Sequence, residues 1–174
     1  GFRAMLFYRD GKPGKTFWVD KGEMFAYSAN NNILDAAVHS DGRIVFVYIL
    51  DQKIYAAVYD EMGQEAVSPF LLQDGDTGDY HMFPSVGLSE NGIATAIWYK
   101  GPPWDGDRVM ARRFRLNGEL IDAAFQVNRE NLLSYSKPGL GVLDGGETCV
   151  VWERRNSNER SEIMGRLYSA AGRP

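Results

Sequence analysis

Three aspartates, Asp74, Asp76 and Asp79, stand at close and nearly alternating positions in the stretch Gln73-Asp-Gly-Asp-Thr-Gly-Asp-Tyr-His81. Carboxylates spaced this way, with glycines that let the chain fold tightly between them, can wrap a hard cation such as calcium in oxygen ligands. The same composition serves an ordinary turn, because Asp and Gly bend or hydrogen-bond their own backbone readily. The stretch lacks the closing bidentate glutamate of a helix-flanked calcium loop, and the corresponding segments, 20–32 and 128–137, do not repeat it. The expectation is an interstrand loop, with calcium on Asp74, Asp76 and Asp79 as the sharper alternative and no other cofactor.

A second candidate is Lys100-Gly-Pro-Pro-Trp-Asp-Gly-Asp107, in which Pro103, Trp104, Asp105 and Asp107 form a proline-stiffened loop around one tryptophan. An aromatic ring offered at low entropic cost suits a sugar ring or a protein partner; the plainer reading folds Trp104 back over its own strands. Arg112, Arg113, Arg115, Arg154, Arg155, Arg160 and Arg166 raise the question of anion recognition. On alternating strand positions they read instead as a solvated face paired with Glu153, Glu159 and Glu162, each exposed pair adding only ~0–1 kcal/mol. No catalytic residue emerges. His39 reads as a packed or capped strand residue and His81 as part of the acidic loop, and there is no Gly-x-Ser-x-Gly turn, phosphate loop or cysteine cluster. The single Cys149 excludes an intrachain disulfide and reads as a small apolar packing residue.

What positions these residues is an internal repeat. Four ten-residue blocks, Phe2 to Gly11, Ile54 to Gly63, Val109 to Gly118 and Ile163 to Gly172, share an apolar first position, a small third (Ala4, Ala56, Ala111, Gly165) and an aromatic sixth (Phe7, Tyr59, Phe114, Tyr168). Their closing glycines are 52, 55 and 54 residues apart, a period long enough for four strands. Upstream, Gly42 to Tyr48, Gly92 to Trp98 and Gly146 to Trp152 align without a gap, each entered through a turn dipeptide that tolerates positive φ. Both faces of these strands are largely apolar, which predicts burial on both sides. Shorter strands with small residues precede them at 35–39, 84–88 and 138–142, and a fourth strand follows each block near Phe17, Phe70 and Phe125. No helical period competes.

Four antiparallel strands per period predict an all-β chain of β-propeller blades, with a β-sandwich as the competing architecture. One repeat domain spans 1–174, divided into a partial blade at 1–33, blades at 34–83 and 84–137, and a partial blade at 138–174. The running form is Pro84, Val86, Gly92, Trp98, Phe114, Gly118, Phe125, Val127, Asn128, then again Pro138, Gly146, Trp152, Tyr168 and Gly172. It resembles the degenerate blade repeats of bacterial secreted and cell-surface β-propeller proteins. The copy with Asp35, Tyr48 and Gln73 departs from that form. The resemblance implies the fold and an extracellular, periplasmic or cell-surface setting, and brings no catalytic residues.

Three repeat periods plus an extra strand do not close a ring of about four to eight blades. The chain is expected to be a partial propeller or half of an oligomeric ring, with protein or a second copy against its ends. It opens on Gly1, which fits a processed chain, a tag remnant or a piece of something longer. A net charge of -4 argues against a nucleic-acid partner, and no stretch approaches the roughly 20 apolar residues of a membrane-spanning helix. The functional expectation is a noncatalytic binding or assembly module that recognises a protein or glycan through blade loops. The alternative is part of a glycan-active or other hydrolytic propeller enzyme whose site is completed elsewhere.

Overall fold

A computed structural model describes residues 1–8, 10–20, 33–75, 79–101, 108–129, 137–155 and 160–174. Among them the regular structure is all strand, in antiparallel sheets that each follow chain order. Strands β1 (Phe2–Phe7) and β2 (Pro13–Asp20) form the first sheet. The second contains β3 (Leu34–Val38), β4 (Ile44–Leu50), β5 (Lys53–Tyr59) and β6 (Glu65–Leu71). The third contains β7 (Tyr80–Leu88), β8 (Ile93–Gly101), β9 (Arg108–Arg115) and β10 (Phe125–Gln126). The fourth contains β11 (Gly139–Val142), β12 (Thr148–Arg155) and β13 (Ser161–Tyr168).

The turns explain why the strands stop where they do. Glycines 11, 42, 63, 92, 118, 146 and 172 all have positive φ, and each amide donates to the carbonyl three residues earlier. This is a type I turn closed by a left-handed residue, a hairpin geometry that favours glycine because a side chain there would meet its own carbonyl. Asp60 reinforces one of them by accepting from the amides of Met62 and Gln64 at 2.9 and 2.7 Å. All of these turns join β1 to β2, β3 to β4, β5 to β6 and their equivalents, so they lie at one end of the sheets. The opposite end carries the connections between sheets and the hairpins β4–β5, β8–β9 and β12–β13. Of these hairpins, Leu50 to Lys53 is a tight two-residue turn, with Asp51 and Gln52 at φ 48° and 61°.

Strand alternation gives each sheet a leading face, toward the next sheet in the chain, and a trailing face, toward the previous one. Val45, Val47, Ile54, Ala56 and Val58 lead from the second sheet and pack on Ala94, Ala96, Trp98 and Phe114, which trail from the third. Ile97, Tyr99, Val109 and Ala111 then pack on Val150, Trp152 and Tyr168. Phe17 and Val19 pack on Phe46, Tyr48 and Tyr59 in the same way. The core is therefore three layers between sheets, which is why β4, β8 and β12 read as apolar on both faces.

The sheets come closest at their first strands. Strand β7 packs against β3, β4 and β5 on one side and β11 on the other. Asp35 of β3 accepts from Ser85 Oγ at 2.8 Å and from the Val86 amide at 3.0 Å, both of β7. A Cβ on Gly87 would stand 2.4 Å from a Val142 methyl of β11. The small residues of these strands are what permits that approach.

Candidate functional site

The residues singled out for binding leave from neighbouring strand ends. Strand β7 begins at Tyr80, which pairs with Gly101 at the end of β8, and His81 pairs with Lys100. The segment before Tyr80 and the segment after Gly101 thus depart side by side, from the end opposite the glycine turns. Pro103, Trp104, Asp105, Asp107 and Asp76 themselves lie outside the described residues.

The other two aspartates of the acidic stretch are placed, and each meets a cation. Asp74 lies 2.5 Å from Arg112 Nη1 and accepts from the Ala124 amide at 2.7 Å. Asp79 lies 3.2 Å from Lys100 Nζ, with both side chains largely shielded from solvent. Among the described residues no group of three or more His, Cys, Asp or Glu side chains is placed so that it could hold a metal ion. Just inside this end, His81 is buried in β7 and its ring lies 6.3 Å from that of Trp98. His81 is thus a strand residue, not a loop residue as the sequence suggested, because the β7–β8 ladder extends through it. The buried indole nitrogen of Trp98 finds no acceptor among the described residues.

The arginines also depart from expectation. Arg112 and Arg113 are both buried, and they hold sheets together instead of forming a solvated face. Arg112 Nη1 donates to the Leu72 carbonyl of the preceding sheet at 2.9 Å. Arg166, at the same place in its block, donates to the equivalent carbonyl of Val127. Where that place holds Ala57, the Tyr59 hydroxyl takes over and donates to the Val19 carbonyl at 3.1 Å. Arg113 reaches forward: it donates to Asp122 at 2.5 and 3.0 Å, and to the carbonyls of Ala170 and Ala171 at 2.9 and 3.0 Å. The expected solvated pairing holds for Arg154, 2.5 Å from Glu162, whereas Arg115 pairs instead with Glu119 at 3.2 Å. The matching block positions of Arg112 and Arg166 were the available sequence signal for a shared role.

A second polar cluster ties the glycine-turn end together. His39 Nε2 lies 3.1 Å from the Glu90 carbonyl and Nδ1 lies 2.9 Å from the Asp41 carboxylate. The Asp41 contact raises the pKa of His39 most, burial opposes it, and the Glu90 contact adds a smaller rise. Asp41 is held well below the usual carboxylate range, chiefly by Arg43, whose Nε and Nη2 donate at 2.8 and 2.6 Å. Ser40 donates to Glu90 at 2.5 Å, and the Glu90 amide donates to the Asp144 carbonyl at 3.2 Å. These bonds join three successive turns; His39 is a linking residue. Cys149 is partly exposed on the leading face of the last sheet.

Antiparallel sheets of up to four strands that stack face to face and converge on β3, β7 and β11 define the architecture. The fold is a partial β-propeller. The sheets are blades or parts of blades, and β3, β7 and β11 are axial strands. A void between the third and fourth blades, bordered by Thr95, Arg113, Thr148 and Tyr168, has 10 Å³, room for about one water molecule. It is too small for an organic ligand.

No protein-family model matches the sequence, and no curated protein matches it. Among solved structures, the GH43 endo-arabinanase from Bacillus licheniformis aligns at TM-score 0.48 and 12% identity, over 81% of this chain and 55% of its own. An alpha-L-arabinofuranosidase from Clostridium thermocellum aligns at TM-score 0.49 and 12% identity, over 79% and 47%. The endo-arabinase from Bacteroides thetaiotaomicron gives 0.43 and 15%, over 80% and 56%. The chain spans about half the length of each of these proteins. No described helix is long and apolar enough to cross a membrane.

Proposed function

We propose that this chain is a noncatalytic propeller module that recognises a protein or glycan partner through the loop end of its blades, outside the cytoplasm or on a cell surface. The observation that carries this reading is the segregation of the turns. The glycine turns are bound tightly to one another at one end, whereas the segments before Tyr80 and after Gly101 leave side by side at the other. Irregular connections on a rigid scaffold are where binding residues concentrate. Trp104 supplies the aromatic platform and Asp105 and Asp107 the polar rim. Calcium on Asp74, Asp76 and Asp79 belongs to the same reading, with Arg112 and Lys100 giving up their carboxylate partners to the ion. A rise in melting temperature at millimolar calcium supports that site, and no change removes it.

The second reading, part of a glycan-active or other hydrolytic propeller enzyme, draws on Asp79, His81 and Lys100. These gather on the axial strand pair at the loop end, where a site completed by further blades would lie. The two readings separate in affinity electrophoresis through arabinan and other polysaccharides, with reducing ends measured in parallel. Retardation that Trp104→Ala abolishes, without release of reducing ends, supports the module. Release of reducing ends supports the enzyme.

A further inference from the structure

The turns at the glycine end are joined by unlike contacts. Counted from Gly42, Gly92 and Gly146, which align in the repeat, His39, Ser89 and Leu143 are equivalent, and so are Ser40, Glu90 and Asp144. Between the third and fourth sheets the joint is a backbone bond, the Glu90 amide donating to the Asp144 carbonyl at 3.2 Å. Between the second and third it is made by side chains: His39 Nε2 lies 3.1 Å from the Glu90 carbonyl, and Ser40 Oγ donates to the Glu90 carboxylate at 2.5 Å. Of these groups His39 is the one that titrates near neutral pH. Its side chain is 10% exposed, and the charged groups that act on it are Asp41 of its own turn, itself held by Arg43, and Glu90 of the β7–β8 turn. Glu61 of the β5–β6 turn stands against Gly42, where an added Cβ would lie 2.8 Å from Glu61 Cβ.

A carbonyl and a carboxylate only accept hydrogen bonds, so the ring satisfies both neighbours only when both of its nitrogens carry protons. When one proton leaves, the nitrogens are unequal. Nδ1 lies 2.9 Å from the Asp41 carboxylate, closer than the Asp41 amide at 3.3 Å, and a hydrogen bond to a charged acceptor is the stronger kind. Nδ1 therefore keeps its proton, and Nε2 gives up the one that spans to Glu90. We infer that the Nε2 proton is a latch: with it the β3–β4 turn is bound to the β7–β8 turn, and without it two lone pairs face each other between Nε2 and the Glu90 carbonyl and this joint opens. The raised pKa of His39 agrees, since the contacts that favour the protonated ring are the ones the latch makes. The latch is closed at acidic pH and opens as pH climbs through a folded-state value above 6.5. The joint to the fourth sheet uses no titrating group and stays shut. All of this lies at the end opposite Tyr80 and Gly101, so it holds whether or not the loop end binds a partner.

Nitrogen NMR of the chain across pH reads the latch directly, with His39→Gln to distinguish His39 from His81, the only other histidine. Both His39 nitrogens should be protonated at about pH 5, and at about pH 9 the proton should remain on Nδ1 alone. Amide exchange, corrected for its own pH dependence, should show the Gly42 amide losing protection by about tenfold over the same range, while the equivalent Gly146 amide does not change. Both amides close their own turns, onto the carbonyls of His39 and Leu143. His39→Gln, whose carboxamide donates at every pH, should remove the step at Gly42. Asp41→Asn, which no longer holds the proton on Nδ1, should lower the titration midpoint and let the neutral ring keep its bond through Nε2. A neutral wild-type ring protonated at Nε2 overturns the inference, as does equal loss of protection at Gly42 and Gly146, or a step that survives in His39→Gln.

Discussion

Ile54 and Ile163 are the same residue at the same position of the repeat, yet one is fully buried between blades and the other 76% exposed, so replacing each with alanine isolates the contribution of the interblade layer. Ile54 packs in the cluster that holds Val45, Val47, Trp98 and Phe114. Truncating a buried isoleucine there removes its transfer energy and leaves a cavity that rigid neighbouring strands fill poorly, about 2–5 kcal/mol in total. For a chain of this size each kcal/mol lowers the melting temperature by about 2–4 °C, so Ile54→Ala should melt roughly 4–20 °C lower. Ile163→Ala removes a side chain already in water and should change stability by less than about 0.5 kcal/mol. The assay is thermal melting and urea unfolding in dilute solution. Equal small losses would mean that Ile54 does not sit in a packed layer. Equal large losses would mean that the leading face of β13 is covered even in the single chain. Either outcome refutes the assignment of leading and trailing faces.

Other expectations follow from the same geometry. Gly63→Ala should destabilise more than Gly75→Ala by about 1–3 kcal/mol: both glycines have positive φ, but a Cβ on Gly63 would stand 2.5 Å from the Phe17 ring, whereas that of Gly75 meets nothing within 4 Å. Urea midpoints of the two variants decide it. Arg113→Met strands the Asp122 carboxylate and the carbonyls of Ala170 and Ala171 and should lose about 1–3 kcal/mol. Arg113→Lys should recover only part of this in the same urea titration, because one ammonium cannot span all three acceptors. His39 has a raised pKa in the fold, so its contribution is complete below its unfolded value of 6.5 and is lost as pH climbs through the folded value. Melting temperature should therefore fall just above pH 6.5 in the wild type and fall less in His39→Gln. Asp41, with a lowered pKa, contributes above the usual carboxylate range and loses that contribution on acidification.

Much of the fold was legible because it is written in short-range chemistry. Apolar alternation makes a strand, and a glycine placed for positive φ ends one; both are properties of a few consecutive residues, repeated at near-constant spacing. That is enough to place β5, β9 and β13 in one family of strands and to identify β4, β8 and β12 as strands buried on both faces. The matching of Gln73 with Asn128 was legible only as a repeated position. The structure gives it a purpose, since their side chains accept from the amides of Ile54 and Val109 at 3.0 and 2.7 Å.

What the sequence left open depends on partners from another blade. Arg112, Arg113 and Arg115 are nearly consecutive and chemically alike, yet the first grips the preceding blade, the second grips the following one, and the third stays near solvent with Glu119. Alternation alone assigns faces; it does not say whether a carbonyl waits across the gap. His81 reads as a loop residue beside three aspartates until its pairing with Lys100 draws it into β7. Ile54 and Ile163 have indistinguishable local sequence roles and opposite surroundings. By itself, then, the sequence determined the strands, the turns and their phase, because those are settled by neighbours along the chain. Only the tertiary structure decided which charges are buried, which loops share an end and which faces remain uncovered, because those depend on residues about fifty positions away.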